Sequence, residues 1–302
     1  MGTYIISRRI QFIIQFVNDN PFPSKQKILA YLSDKDFNLS GRTLERDFDH
    51  IRADFGLEIA YSKQYNGYYI DADKSVKVAS FFKFLEMVTL AGIFSDSLKD
   101  SHKILDYVSF DDSKGFKGIE NLKPILIAIS QKRKLHFTHE NFEKKTLTPY
   151  VISPFLLKEY ENRWFVVGVP DGLNDIRTFG VDRITQISLG SSITIAKKTF
   201  AQKLDNFKYT VGVNFEDEQP KSISILVNKL HLKYMQSLPL HSSQVIHPVD
   251  KNGKYQVDFY LIPNYEFMTQ ILKMGHDVLV LSPESFRNEV KTALEKALKR
   301  YT

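Results

Sequence analysis

The sequence contains no cysteine among its 302 residues. This absence excludes disulfide bonds, thiolate zinc sites and a cysteine nucleophile, and it is typical of a protein of the reducing cytoplasm. Long hydrophobic runs are also missing, since the longest apolar stretch, residues 78–94, is interrupted by Lys83 and Glu86. That stretch is too short and too charged to cross a bilayer. We therefore expect a cytoplasmic protein without a secretory signal or a membrane partner.

Signatures of the common enzyme classes are missing as well. The sequence has no G-x-S-x-G, no G-x-x-x-x-G-K-[ST], no H-E-x-x-H and no G-x-G-x-x-G. The eight histidines are scattered, and the close pair His136 and His139 would point to opposite faces of a strand. We therefore predict that the protein is not an enzyme and that it has no catalytic residue, metal or cofactor.

The charge balance leaves a nucleic-acid partner open. The formal net charge is +6, which is compatible with binding DNA without requiring it. The first 70 residues carry nine Lys/Arg and eight Asp/Glu. Any DNA binding by this segment therefore relies on a few well-placed basic side chains rather than on a basic surface.

Three helices and a hairpin are predicted at the start of the chain. Apolar residues recur at spacings of three and four, and an Asn-Gly turn joins two short strands after them. This is the element order of a winged helix-turn-helix, whose third helix presents its N-terminal part to the major groove. The predicted helices span 7–18, 24–33 and 40–55, with N-caps at Ser7, Ser24 and Ser40 and a C-cap at Gly56.

The third helix carries the candidate DNA contacts. Arg42 and Arg46 are four residues apart and share a face, and arginine donates two bonds to guanine or binds phosphate. Thr43 suits a thymine methyl group or phosphate, and Glu45 suits the amino group of cytosine. The alternative is a solvated helix with an ordinary Glu–Arg surface.

The rest of the chain predicts two further domains. A helix over 75–106 and a linker at 109–118 precede a helix over 119–132. Six short strands between 134 and 189 then suggest a small antiparallel barrel. From about Ser222 the order βαββαβα resembles a ferredoxin-like α/β sandwich.

Residues 39–70 resemble the recognition helix and wing of bacterial winged-helix repressors of the DeoR type. The shared pattern is Ser-x-Arg-Thr-x-x-Arg-Asp, followed by an apolar helix, a Phe-Gly end and a Gly-Tyr wing. The resemblance implies DNA contacts by the third helix and by the wing tip. Arg8 and Arg9, at the N-terminus of the first predicted helix, are candidates for phosphate contacts, but we expect them to be solvated surface residues. The implied DNA-binding residues are Ser40, Arg42, Thr43, Glu45, Arg46, Lys63 and Tyr65, with Gln64 beside them.

Residues 149–187 are similar to the core of WYL domains, and the tail from Ser222 resembles the C-terminal extension of such proteins. The naming tripeptide reads Trp164-Phe165-Val166 here, and an Arg-x-Phe-x-x-Asp-Arg-Ile stretch follows at 177–184. Two departures, Phe165 and His139 in place of tyrosines, alter the polar groups of the implied pocket. The ligand-binding residues that the resemblance implies are His139, Ser153, Tyr160, Phe165, Arg177, Phe179 and Arg183.

The even spacing of Arg177 and Arg183 puts both on one face if a single straight strand carries them. Two guanidinium groups beside aromatic rings suit a nucleotide or a single-stranded nucleic acid. The alternative is that Asp182 pairs with Arg183 and the aromatic residues are core.

The predicted fold class is α+β multidomain in a bacterial protein. It comprises a winged helix-turn-helix at 1–72, a helical linker at 73–118, a ligand-sensing WYL domain with an SH3/Sm-like β-barrel at 119–200 and a ferredoxin-like extension (WCX-like) at 201–302. The predicted function is a homodimeric transcription regulator that binds an operator in double-stranded DNA and responds to a small nucleotide or nucleic-acid effector. The alternative is a single-stranded nucleic-acid-binding module, or an uncharacterised enzyme, whose helical trio serves protein contacts.

Overall fold

The computed structural model describes residues 2–75, 78, 81–83, 87, 117–142, 144–214, 218–249 and 253–301. The chain divides into two compact units, Met1–Asp111 and Asp112–Thr302. Of the helix predicted over 75–106, residues 78, 81–83 and 87 are described and helical. The rest of that helix and most of the predicted 109–118 linker lie outside the described residues.

Residues 2–75 form three helices and a two-stranded hairpin, in the predicted order. Ser24 and Ser40 cap the second and third helices by accepting hydrogen bonds from the backbone N–H groups of Lys27 and Thr43. Gly56 ends the third helix in a left-handed conformation. The prediction of Ser7 as the first N-cap is wrong, because the helix already begins at Gly2. The elements are α1 (Gly2–Asp19), α2 (Lys25–Ser33), α3 (Gly41–Phe55), β1 (Ile59–Ser62) and β2 (Gly67–Ile70).

The core of the first unit is apolar with one ion pair at its margin. Ile13, Ile28 and Leu44 are fully buried and bring one residue from each of the three helices together. Beside them, the guanidinium of Arg9 donates to both carboxylate oxygens of Asp47, at 2.9 and 2.7 Å. This bidentate pair ties α1 to α3 and fixes how α3 is rotated in the unit.

The hairpin is fastened to the segment between α1 and α2. The backbone N–H of Tyr68 donates to the carbonyl of Pro23 at 2.9 Å. A Cβ atom on Gly67 would lie 2.0 Å from the carbonyl oxygen of Phe22, so only glycine permits this approach. The hairpin tip therefore has a defined position relative to α2 and α3.

The second unit begins with α4 (Leu122–Ser130) packed on a five-stranded antiparallel sheet of order β6-β5-β4-β3-β7. Two strands predicted over 146–160 are one strand with an irregularity between Pro154 and Leu156. A 3-10 turn, Val181–Arg183, separates the last two strands. The strands are β3 (Arg133–Asn141), β4 (Thr146–Tyr160), β5 (Arg163–Pro170), β6 (Arg177–Gly180) and β7 (Ile184–Ser192).

After the short helix α5 (Ala201–Asp205), a four-stranded antiparallel sheet of order β11-β8-β10-β9 forms the last part. Alternate residues of β8 and β10 are buried against Phe267 and Phe286 of two helices. The elements are β8 (Lys221–Val227), α6 (Lys229–Ser237), β9 (Val245–Val249), β10 (Tyr255–Leu261), α7 (Tyr265–Lys273), β11 (Val278–Ser282) and α8 (Glu284–Leu298). The chain is thus a mixed α/β protein with several sheets, as predicted.

None of the helices in the described part of the chain has the length and apolar character that a bilayer crossing needs. Within the same residues, no three metal-binding side chains come together.

Candidate nucleic-acid interface and polar cluster

Arg42 and Arg46 lie on the exposed side of α3. The residues between and after them, Leu44 and Phe48, are buried in the core, so the helix turns its two arginines outward. Within the described residues, neither guanidinium has a hydrogen bond or an ion pair. Two cations one helical turn apart are therefore available to a partner.

Ser40 and Thr43 have local partners at the start of α3. Ser40 Oγ accepts from the backbone N–H of Thr43 at 3.2 Å and lies 2.9 Å from Thr43 Oγ1. Ser40 is exposed and Thr43 is half-buried. Ser40 therefore acts first as an N-cap, and any DNA contact of these hydroxyl groups comes in addition to that bond.

Glu45 is paired with a lysine of α2. Lys25 Nζ donates to Glu45 Oε1 at 2.5 Å, and this hydrogen bond raises the pKa of Lys25. The pair offsets the negative charge that Glu45 would otherwise place beside Arg42 and Arg46. A contact of Glu45 with cytosine would require it to leave Lys25.

The two arginines of α1 have different environments. For Arg9 both the expected solvated position and the phosphate contact are wrong, because its guanidinium is bound to Asp47 and its side chain is only 14% exposed. Arg8 is exposed, and its guanidinium lies 5.7 Å from the centre of the Phe12 ring. Both lie well inside α1 rather than at its N-terminus.

The predicted wing-tip residues lie in the turn between β1 and β2. Lys63, Gln64 and Tyr65 are all exposed. The ring of Tyr65 stacks on Phe22 with centroids 4.2 Å apart. This contact holds the turn in place while leaving the ammonium group of Lys63 in solvent.

A second candidate site lies at the five-stranded sheet, where three of the four buried polar atoms that meet no partner among the described residues lie close together. They are His139 Nε2, Asp182 Oδ1 and Arg183 Nε, and we call these three residues the polar cluster. His139 is directly opposite Ile184 in the pairing of β3 with β7, which places it beside Asp182 and Arg183. A buried polar atom without a partner costs about 1–3 kcal/mol, so the cluster is suited to receiving a ligand.

Neighbouring groups set the charge of the polar cluster. Arg163 donates to Asp182 Oδ2, while Asp182 Oδ1 is 3.9 Å from Arg183 Nε, beyond hydrogen-bond distance. Burial, and then the charge of Arg183, lower the pKa of His139, although Asp182 opposes this shift. The imidazole is therefore biased towards its neutral form.

Glycine and aromatic residues shape the same site. A Cβ atom on Gly180 would lie 2.6 Å from Asp182 Oδ1 and 2.8 Å from Arg183 Nε. The side chains of Asp182 and Arg183 therefore pack directly against the backbone of Gly180. The His139 ring meets Phe179 edge-on, with centroids 5.3 Å apart. The guanidinium of Arg183 lies 5.1 Å from the centre of the Phe142 ring, which is 56% exposed.

Other predicted ligand contacts lie elsewhere. Arg177 is exposed at the start of β6, and the 3-10 turn after Gly180 means that no straight strand carries both Arg177 and Arg183. The shared-face prediction is therefore wrong. Phe179 pairs with Val166, so Phe165 points to the opposite face of the sheet from Phe179.

Tyr160 and Ser153 also lie outside the polar cluster. Tyr160 packs against the core of the last sheet and accepts a hydrogen bond from Gln270. Ser153 is fully buried on β4 opposite Val169, and its hydroxyl has no partner among the described residues. Conversely, Asp182 and Arg163 were not among the predicted ligand contacts, although Asp182 belongs to the Arg-x-Phe-x-x-Asp-Arg-Ile stretch.

Comparison with known families identifies two domains in the second unit. Residues 120–189 match the WYL domain and residues 209–298 match the WCX domain. Both domain families were expected from the sequence. A search of curated proteins finds no match.

Solved structures give more distant likenesses. Proteasome accessory factor B/C (PafBC) of Arthrobacter aurescens is 17% identical, with a TM-score of 0.31, over 94% of this chain and 45% of its own. A CRISPR Cas-related protein is 13% identical, with a TM-score of 0.38, over 61% of this chain and 52% of its own. The chain thus spans about half the length of each of these two structures.

Proposed function

Since this chain belongs to the proteins that carry a WYL domain followed by a WCX domain, we propose that it is a DNA-binding transcription regulator. In this proposal α1, α2, α3 and the hairpin are a winged helix-turn-helix with α3 as the recognition helix. The five-stranded sheet is the small β-barrel of a ligand-sensing domain, and the four-stranded sheet is a ferredoxin-like extension. The protein acts in the cytoplasm and is not an enzyme.

One observation carries the DNA-binding part of the proposal. Arg42 and Arg46 are exposed on one side of α3, while the nearby acidic residues Glu45 and Asp47 are paired with Lys25 and Arg9. The pairing leaves the two arginines as the uncompensated charges on this part of α3. Arginines so placed donate to guanine in the major groove or bind the flanking phosphates.

A two-fold symmetric assembly follows from this mode of binding. We propose a homodimer that places two copies of α3 in successive major grooves, about 34 Å apart along the duplex. Lys63 and Tyr65 at the wing tip then lie against the DNA backbone or minor groove. The operator is accordingly a palindrome or close to one.

The polar cluster is the proposed effector site. Arg183 Nε and His139 Nε2 offer hydrogen bonds next to an unpartnered acceptor, Asp182 Oδ1. A bare phosphate would lie against that carboxylate oxygen, whereas the edge of a nucleobase supplies both an acceptor and a donor. The exposed ring of Phe142 beside Arg183 offers a surface on which a base stacks. These groups favour a nucleotide or a single-stranded nucleic acid as effector.

The effector must bind two states of the regulator with different affinity in order to change operator binding. Binding that satisfies the three unpartnered atoms stabilises the arrangement of β3 and the 181–183 turn in which they converge.

Duplex DNA binding tests the first part. We expect full-length protein to retard random duplex DNA, with an affinity that falls steeply with salt. The double variant Arg42→Ala/Arg46→Ala should lose this binding. Arg42→Lys/Arg46→Lys should keep phosphate binding and lose base preference, because lysine does not make the bidentate contact.

The matched control removes two arginines of the second unit. Arg287 and Arg300 are both exposed in the C-terminal part, and Arg287→Ala/Arg300→Ala lowers the net charge by the same amount. It should bind duplex DNA as the parent chain does. If Arg42→Ala/Arg46→Ala also binds normally, α3 is not the DNA-reading element and the single-stranded-binding alternative gains ground.

A further inference from the structure

The hairpin turn between β4 and β5 has partners on two sides. Its central residues, Glu161 and Asn162, have φ values of 47° and 61°, as a tight two-residue turn requires. Tyr160 and Arg163 flank the turn and pair directly with each other. We call these four residues the linking turn. It is therefore a short and stiff connection between β4 and β5.

The first side of the linking turn contacts helix α7 of the WCX domain. Gln270 Nε2 donates to Tyr160 Oη at 3.1 Å and to Glu161 Oε1 at 2.8 Å. Lys273 Nζ donates to the same Glu161 oxygen at 3.1 Å. These bonds lower the pKa of Glu161 although burial opposes the shift, so the carboxylate is held ionised on α7. Tyr160 also packs against the WCX core.

The second side of the linking turn contacts the polar cluster. Arg163 donates to Asp182 Oδ2, and the other oxygen of the same carboxylate, Oδ1, is one of the unpartnered atoms. Asp182 is thus shared between the linking turn and the proposed effector site. A hydrogen-bond donor that binds Oδ1 competes with Arg163 for the charge of this carboxylate.

We propose that the linking turn couples the polar cluster to the WCX domain. A ligand that engages Asp182 weakens its bond to Arg163, and the stiff turn carries that change to Glu161, Tyr160 and helix α7. This inference rests on the proposed effector site and adds its route of regulation. The physical requirement is that both sites bias the same two arrangements of the turn.

Hydrogen exchange of the full-length chain tests the coupling without any ligand or DNA. In Asp182→Ala, amides of α7 should exchange about three- to tenfold faster, the size of effect expected within one hydrogen-bonded network. Asp182→Asn keeps the shape and a weaker bond, and should give a smaller increase. Arg163→Met removes the same pair from its other end and should match Asp182→Ala.

The matched control is Asp171→Ala. Asp171, in the turn after β5, is an exposed carboxylate that pairs with Lys134 at 2.6 Å, so its removal should leave exchange in α7 unchanged. Exchange in β8 and β10 reports whether each variant is folded.

A second set of variants tests whether the effect of Asp182→Ala on α7 passes through the linking turn. In Glu161→Ala/Gln270→Ala, the hydrogen bonds of the linking turn to α7 are already removed, so adding Asp182→Ala should produce a much smaller further increase in α7. The proposal is overturned if Asp182→Ala leaves α7 exchange at the parent level, or if its increase is undiminished in this background. A failure of the DNA-binding proposal shows instead in the duplex binding of Arg42→Ala/Arg46→Ala.

Discussion

The exposed arginines of α3 and the polar cluster of the WYL domain both present groups without a partner in the described part of the chain, but the physical situations differ. Arg42 and Arg46 are exposed, so water solvates them and leaving them unpaired costs little. His139 Nε2, Asp182 Oδ1 and Arg183 Nε are buried, and each unsatisfied atom costs about 1–3 kcal/mol. The first region suits a large charged partner that arrives from solvent, and the second suits a small group that fills defined positions.

The largest effect should come from separating the buried pair behind α3. Arg9→Met leaves Asp47, whose side chain is 2% exposed, without its partner. Removal of one member of a buried pair typically costs about 3–5 kcal/mol. We expect the thermal transition of the first unit to fall steeply and exchange in α1 and α3 to rise, with DNA binding lost as a consequence.

The control replaces both members by apolar residues. Arg9→Met/Asp47→Leu leaves no unpaired charge and should recover most of the lost stability, because hydrophobic replacement of a buried pair is often neutral. If the recovered protein also regains duplex binding, Arg9 only positions α3. Equal stability of Arg9→Met and the parent chain would mean that the pair contributes nothing to the unit.

The next largest effect is expected from alanine substitution of glycines, one in each of the two regions. A Cβ atom at Gly180 would meet Asp182 Oδ1 and Arg183 Nε, on side chains that are 16% and 25% exposed. A Cβ atom at Gly41 would meet the flexible end of Lys25, which is 37% exposed and shifts more easily than a packed side chain. Gly180→Ala should therefore destabilise the second unit by about 1–3 kcal/mol.

Gly41→Ala should be neutral or stabilise α3 by up to about 1 kcal/mol, because alanine suits a helix better than glycine. Both changes in the free energy of unfolding are measured by thermal or denaturant unfolding of the full-length variants, monitored with a separate probe in each unit. If Gly41→Ala lowered the free energy of unfolding as much as Gly180→Ala, the proposed difference between a solvated site and a packed one would be wrong.

The features that the sequence predicted well are local ones. Ser24, Ser40 and Gly56 were identified as caps because a cap depends on residues within one turn of the same helix. The exposure of Arg42 and Arg46 likewise follows from the apolar spacing of α3. These arguments need no knowledge of how distant segments pair.

The features that the sequence missed depend on distant pairing. Arg9 and Asp47 are 38 residues apart, and no local pattern connects them. His139 meets Asp182 and Arg183 only through the register of β3 with β7. The even spacing of Arg177 and Arg183 led to a wrong prediction of a shared face, because a 3-10 turn interrupts the strand between them. Sequence spacing predicts a shared face only within one uninterrupted element.

A smaller effect separates the capping role of Ser40 from a role in DNA contact. Ser40→Ala removes the bond to the Thr43 N–H and should destabilise the first unit by about 1 kcal/mol. Ser40→Asp keeps the cap, since aspartate is an equally good N-cap, but adds a negative charge beside Arg42. Duplex binding should therefore fall in Ser40→Asp at unchanged stability. Normal binding by that variant would place the DNA away from the start of α3.

The smallest effect concerns the charge of His139 in the polar cluster. Burial and Arg183 lower its pKa in the folded protein, against the opposing effect of Asp182, so the unfolded chain takes up a proton first as the pH falls. The stability from the neutral imidazole is complete above the unfolded pKa of about 6.5 and is lost as the pH falls towards the folded value. The thermal midpoint of the second unit should thus decline between about pH 7.5 and 5 less steeply in His139→Asn than in the parent chain. Burial also lowers the pKa of His241, so the thermal midpoint of both proteins keeps a pH dependence, and only the difference between the parent chain and His139→Asn reports on His139. Identical pH dependence in the two proteins would mean that Asp182 cancels the effects of burial and Arg183.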